Sequence, residues 1–153
     1  MDLLGPLPQL HLHHLAGLVA ASLLGASIGF ERQWRGHPAG LHTDALVALG
    51  AAAYVIVGVL VTDSSGSARI AGQVVTGVGF LCAGVIMHQG ATVRGINTAA
   101  TVWCSAAVGL LAGFGMILWA AVATLFVVLT NVTLHYVENR LFKPFQDPGP
   151  SSN

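Results

Sequence analysis

The sequence predicts an all-α integral membrane protein, a bundle of about five closely packed transmembrane helices, and three observations carry that prediction. Of 153 residues, 54% are hydrophobic and 8% charged, against about 25% charged in an ordinary soluble domain. Uncharged apolar stretches recur at the length a helix needs to cross the hydrocarbon core, about 20 residues. The longest, residues 95–137, runs for 43 residues without a charge, roughly twice the length of one crossing.

The spans follow in chain order. Residues 15–30 are apolar or small up to Glu31, with Leu10, Leu12 and several histidines extending the run toward the interface. Between Asp44 and Asp63 every residue is uncharged, which places a second span at 45–61, and a third at 70–87 precedes Arg94. The long uncharged run reads as a helical hairpin with spans at 98–111 and 116–132. A single long helix is the alternative, and Gly109, Gly113 and Gly115 favour a turn. Residues 1–14 form an N-terminal interfacial segment, 15–137 the transmembrane domain and 138–153 a short cytoplasmic tail. Met1 to His14 contains no Lys or Arg, so the basic start of a cleaved secretory signal is missing and the first helix is expected to be retained.

Basic residues favour cytoplasmic loops. With five spans and the N-terminus outside, Arg32, Arg35, Arg94, Arg140 and Lys143 fall inside and only Arg69 outside, with the C-terminus cytoplasmic. Lipid supplies no hydrophobic drive between helices, so packing is expected at small residues four apart. Gly25 with Gly29, Gly79 with Ala83 and Gly109 with Gly113 fit, and Gly77 and Gly84 belong to the same class. A parallel internal repeat is visible between spans 1–2 and 3–4. Gly40, Leu41, His42, Thr43, Ala45, Val47, Ala51 and Ala52 recur 55 residues later as Gly95, Ile96, Asn97, Thr98, Ala100, Val102, Ala106 and Ala107.

A charged group at the bilayer centre costs about 2.5 to 3.5 kcal/mol on the insertion scale, which places Glu31 and Arg32 near the interface. They read either as part of a polar cytoplasmic pocket, with Glu31 paired to Arg32, Arg35 or Arg94, or as ordinary interfacial charges. His42, Thr43 and Asp44, and their counterparts Asn97 and Thr98, look like helix start signals. The same two starts, brought together, would also aim free N–H groups at an anion or at Glu31. Magnesium needs hard oxygen ligands, and the acids are few: Glu31 with Asp44 and the Asn97 carbonyl are the best available set, too thin for a dedicated metal path. His11, His13 and His14 carry imidazoles suited to zinc, copper or nickel. A short His tract fixes no ligand geometry, so an interfacial, pH-responsive segment is preferred. Cys82 and Cys104 lie in apolar runs and read as small buried hydrophobes. Six basic and six acidic residues cancel, leaving no field to attract nucleic acid. No nucleophile with a base and no phosphate-binding glycine loop appears, so neither catalysis nor a cofactor is expected.

Four segments together carry a family resemblance. They are Gly29-Phe30-Glu31-Arg32-Gln33-Trp34, Ala39 through Val47, Gln73 through Gly84, and Val93 through Cys104. In that order they resemble the MgtC/SapB family of bacterial membrane proteins, over about residues 15–134. His42 stands where the family usually has Arg, and Cys82 where it usually has Gly. The resemblance implies a multi-pass protein of the bacterial inner membrane, linked to growth at low magnesium and to virulence, that modulates other membrane complexes such as the F-type ATP synthase or acts in ion homeostasis. It also implies functional weight for Asn97 and the Arg94-Gly95 loop, and places Glu31 and Arg32 in the signature motif. Family members carry a small cytoplasmic C-terminal domain, which this chain, ending shortly after Asp147, is expected to lack.

Two functions compete. A regulator would act through helix contacts in the bilayer. A small ion or magnesium transporter would use a polar pocket of Glu31, Asp44, Arg94 and Asn97 opening between the repeats, completed by a homo-oligomer.

Overall fold

The architecture follows from how closely the helix backbones are allowed to approach. A computed structural model describes residues 12–37, 40–89 and 92–141 of the chain. The N-terminal residues through His11 and the tail from 142 onward, with Lys143 and Asp147, lie outside the described residues. Five helices are long and apolar enough to cross a membrane: α1 (Leu12–Trp34), α2 (Leu41–Val61), α3 (Ser64–Val85), α4 (Ile96–Gly113) and α5 (Ile117–Leu141). Between α3 and α4 the chain makes a small antiparallel hairpin, β1 (Met87–Gln89) against β2 (Thr92–Arg94), with Met87 opposite Arg94. The sequence reading did not foresee that hairpin.

Helices α1, α2 and α4 all pack on one another and form the centre; α3 lies against α2 and α4, and α5 against α1 and α4. The buried residues of α1 are Gly17, Ala21, Gly25, Ile28, Gly29 and Arg32. Their spacing of three and four puts them on one helix face. A Cβ at Gly25 would lie 2.6 Å from the backbone oxygen of Asp44, and one at Gly29 would lie 2.6 Å from that of Gly40. On α4, a Cβ at Gly109 would overlap the carbonyl of Ala48, and one at Gly113 would lie 2.8 Å from the carbonyl of Ala52. Main chain meets main chain at these points, which is how helices gain dispersion energy where lipid competes equally for apolar side chains. Ala21, Ala48, Ala52, Val108, Ala112 and Ala120 fill the remaining core.

The turns are equally local. Gly115, at φ 79°, reverses the chain between α4 and α5, a left-handed conformation that glycine adopts without a side-chain penalty. Gly109, grouped with the turn glycines in the sequence, instead lies buried inside α4. Asp63 caps α3 by accepting the Gly66 N–H at 2.8 Å. The matching segments beginning at Gly40 and Gly95 form the first turns of α2 and α4.

Helices α3 and α5 flank this centre and bury little of themselves, α5 only Ala120 and Thr124 among the described side chains. Of α3, only Gly66, Ser67 and Val78 are buried. A Cβ at Gly72, Gly77, Gly79 or Gly84 would meet nothing within 4 Å.

These contrasts give a paired prediction. Gly109→Ala should separate α4 from α2 and cost about 1–3 kcal/mol, the range for overpacking a filled core. Gly79→Ala in the isolated protein should be neutral or stabilising by up to about 1 kcal/mol, the helical difference between the two residues. Unfolding titrations in mixed micelles measure both, and equal effects would show that the two glycines have equivalent surroundings.

Candidate functional site

Most of the buried polar side chains of this membrane bundle, Arg32, Asp44, Thr98, Thr101 and Ser105, belong to one cluster that begins at the end carrying the α1–α2 loop, while Ser67 and Thr124 lie apart from it. The last turn of α1 supplies Glu31 and Arg32, the turn just past it Arg35, the first turn of α2 supplies Asp44, and α4 supplies Thr98, Thr101 and Ser105. Positions 98, 101 and 105 are spaced three and four apart, so the three hydroxyls stand on one face of α4.

Arg32 is 2% exposed and Asp44 is 0% exposed, so both charged groups have left water. Each is tied to α4. Arg32 donates through Nη2 to Thr98 Oγ1 at 2.8 Å, and the Ser105 hydroxyl donates to Asp44 Oδ1 at 2.8 Å. Ser105 Oγ also lies 3.2 Å from the Thr101 carbonyl, a second acceptor for its one proton. Arg32 and Asp44 attract each other electrostatically but share no direct hydrogen bond. Arg32 Nε and Asp44 Oδ2 are buried without a partner. Glu31 pairs with Arg35, four residues on and just past the end of α1, the second of the three partners its sequence context offered.

The remaining predicted residues are distributed around this cluster. His42, Thr43, Arg94 and Asn97 are exposed. His42 and Thr43, with Gln33, His37, Gly40 and Leu41, line a surface cavity of about 340 Å³. Helix-start capping is not what the threonines do. The N-caps of α2 and α4 are Gly40 and Gly95, neither with a side-chain cap bond. Thr98 receives Arg32 instead, and the Leu41 N–H is taken by Gln33 Oε1 at 3.2 Å from across the loop. Gly95 combines φ 91° with the Val85 carbonyl in the place a Cβ would take, so the start of α4 is fixed by backbone shape. Asn97 contributes its carbonyl, which accepts the Thr101 hydroxyl at 3.0 Å.

Sequence reasoning missed Thr101 and Ser105. Their signal was present as hydroxyls at helical spacing from Thr98 inside an apolar run, and a search that counts charges passes over it.

The fold and this closed polar centre define a multi-pass integral membrane protein whose charged residues brace helices against one another. More narrowly, the chain belongs to the MgtC family, whose model matches residues 18–140. It is 55% identical over 122 residues to the protein MgtC of Brucella abortus (strain 2308), covering 80% of this chain and 51% of that protein. With an uncharacterized protein of Synechocystis sp. the identity is 51% over 120 residues, 78% of this chain and 51% of the other. With the protein MgtC of Salmonella typhimurium (strain LT2) it is 49% over 128 residues, 84% and 55% of the two chains. The chain thus spans about half the length of these relatives. No solved structure matches it at a significant level.

Two predictions follow from the site. Ser105→Ala would strip a buried acceptor of its donor, and hydrogen bonds to charged groups contribute about 1.5 to 3 kcal/mol. The loss should appear in micelle unfolding titrations, and a change near zero would mean that another group holds Asp44. The second concerns His37, half-buried in the α1–α2 loop with Nδ1 lacking a partner. Burial, reinforced by the Arg32 charge, holds its pKa below the ordinary 6.5. The folded state therefore favours the neutral ring. Its contribution to stability is complete above the ordinary imidazole pKa and is lost as pH falls toward the lowered value. Between neutral and mildly acidic pH the wild type should lose more stability than His37→Asn, and parallel curves would contradict this.

Proposed function

We propose that this protein modulates other membrane complexes by docking sideways against them in the bacterial inner membrane, with its N-terminus outside and its C-terminus cytoplasmic. The observation that carries the reading is the contrast between a closed centre and an open flank. Arg32, Asp44, Thr98 and Ser105 are each at most 3% exposed, and main-chain contacts at Gly25, Gly29, Gly109 and Gly113 fill the space between α1, α2 and α4. On α3, by contrast, a Cβ at Gly72, Gly77, Gly79 or Gly84 would meet nothing within 4 Å among the described residues. Glycine in a helix costs about 0.5–1 kcal/mol relative to alanine, a cost offset when a neighbouring helix backbone comes close. Likeness to the proteins named MgtC extends the proposal: the complex is one concerned with ion homeostasis, such as the F-type ATP synthase, and the role supports growth at low magnesium and virulence. Exposed Arg94 and Asn97 and the cavity beside His42 and Thr43 would serve as polar contacts at the cytoplasmic face, with Glu31, Arg32, Asp44 and Thr98 fixing the helices that present them.

The second reading is a small ion or magnesium transporter, and one observation favours it: Asp44 Oδ2 and Arg32 Nε are buried without partners in the interior. The two readings part experimentally. Purified protein in liposomes should pass no magnesium, potassium or protons above protein-free vesicles. Extraction in mild detergent should recover the ATP synthase with it, less so for Gly72→Leu and Gly79→Leu. Flux that Asp44→Asn abolishes, with no partner recovered, would overturn the docking reading in favour of transport.

A further inference from the structure

Helices α2 and α3 run antiparallel through the short turn at Thr62 and Asp63, and between them lies a cavity of about 610 Å³. Its lining includes Gly50 of α2 and Gly77 of α3, where a Cβ would meet nothing within 4 Å. At about 100° per residue, Gly72 and Gly79 stand on the opposite side of α3, so this groove is distinct from the surface they form in the proposed docking. The lining is apolar except for Tyr54 and Gln73. Both side chains are exposed, and neither has a hydrogen bond among the described residues.

The polar groups stand toward one end of the groove. At a rise of 1.5 Å per residue, Tyr54 and Gln73 lie about 11 and 14 Å from the α2–α3 turn, whereas Leu46 and Leu81 close the far end at about 23 and 26 Å. Arg69, exposed and without an ion pair or hydrogen bond among the described residues, stands one helical turn nearer the surface on the side of α3 that bears Gln73. From Ile70 to Leu81 the groove is about 16 Å long, one leaflet's share of a ~30 Å hydrocarbon core. A crossing helix needs the full thickness, but a lipid tail occupies one leaflet. From the turn inward come a cation, two hydrogen-bonding groups and then only apolar walls, which is the order of phosphate, ester carbonyls and acyl chain in a glycerophospholipid. An amide or phenol left unpaired in hydrocarbon is costly, and ester carbonyls can accept from both.

We propose that the α2–α3 groove is a binding site for one glycerophospholipid, its phosphate on Arg69, its ester carbonyls on Gln73 and Tyr54, and one acyl chain laid along Gly50, Gly77 and Leu81. The lipid belongs to the leaflet on the side of the α2–α3 turn, which is the outer one when the N-terminus is outside. It supplies the packing that α2 and α3 do not give each other along this stretch, and it pairs the polar groups that the chain itself leaves open.

The test uses the full chain, freed of lipid in mild detergent and titrated with dioleoylphosphatidylglycerol, with bound lipid counted by native mass spectrometry. One lipid per chain should bind well ahead of the rest. Arg69→Gln should weaken it about fivefold, the worth of one basic residue at an anionic surface. Gly77→Leu and Gly50→Leu fill the groove from its two walls, where an added Cβ meets no other residue, and each should weaken binding by about tenfold or more through direct exclusion. Val75→Leu on the far side of α3 and Arg140→Gln at the opposite membrane surface should leave it unchanged. Monogalactosyldiacylglycerol, which has the esters and tails but no phosphate, should bind about fivefold more weakly, like phosphatidylglycerol to Arg69→Gln. Wild-type affinity in Arg69→Gln, or in both glycine variants with unchanged helical circular dichroism, would overturn the proposal, as would equal affinity for the galactolipid.

Discussion

The structure depends on one contact, the approach of the α4 backbone to the carbonyls of α2. In water, burial of apolar surface would hold helices together almost regardless of detail. In lipid the tails compete equally for leucine and valine, and only a closer fit than lipid achieves favours helix against helix. At Gly109 the α4 main chain sits directly on the Ala48 carbonyl, and four residues later Gly113 sits on Ala52. With α2 and α4 so close, α1 completes the centre by laying Gly17 against Ala112 of α4 and Gly25 against Asp44 of α2. The side chains at these crossings are small because nothing larger fits.

That close fit is also what makes the buried charges tolerable. Arg32 and Asp44 are held by uncharged hydroxyls on α4, from Thr98 and Ser105, and α4 reaches both because it packs on α1 and α2 alike. The gross cost of removing two ions from water is large, and their mutual attraction together with two hydrogen bonds offsets part of it. A cluster of this kind contributes more to the choice among helix arrangements than to net stability. Sliding α4 by one turn, about 5.4 Å, would part Thr98 from Arg32 and Ser105 from Asp44 together. The register of the three central helices is thereby fixed at the end that carries the exposed loop residues.

Much of this was legible in the chain because lipid leaves a strong imprint on composition. Uncharged runs located all five helices, and the glycines at 113 and 115 correctly placed the last turn. The boundaries erred where a charge was taken as a stop. Helix α1 continues through Glu31 and Arg32 to Trp34, because Thr98 gives Arg32 a partner inside the bundle. Thr98 itself read as a cap, since a threonine before an apolar run is the usual mark of a helix start, and nothing local shows that Gly95 begins the helix earlier. Ser105 was passed over for a different reason. A serine is uncharged, and only the three-dimensional crossing of α2 and α4 brings it to Asp44.

The matching segments of α2 and α4 sharpen that last point. Fifty-five residues separate them, and of the residues where the two helices touch Ala52 matches Ala107 and Gly113 matches Gly58, whereas Ala48 matches Trp103 and Gly109 matches Tyr54. Of the polar residues Thr98 matches Thr43, but Asp44 matches Ala99, Thr101 matches Leu46 and Ser105 matches Gly50. Two similar helices pressed together would present like surfaces to each other, and a carboxylate on both would place like charges in a medium that screens poorly. The acid stands on one helix and its hydroxyl donor on the other, so each supplies what its counterpart lacks. Gly109 and Gly113 set how near α4 comes to α2, and the unlike pair Asp44 and Ser105 sets which register they adopt.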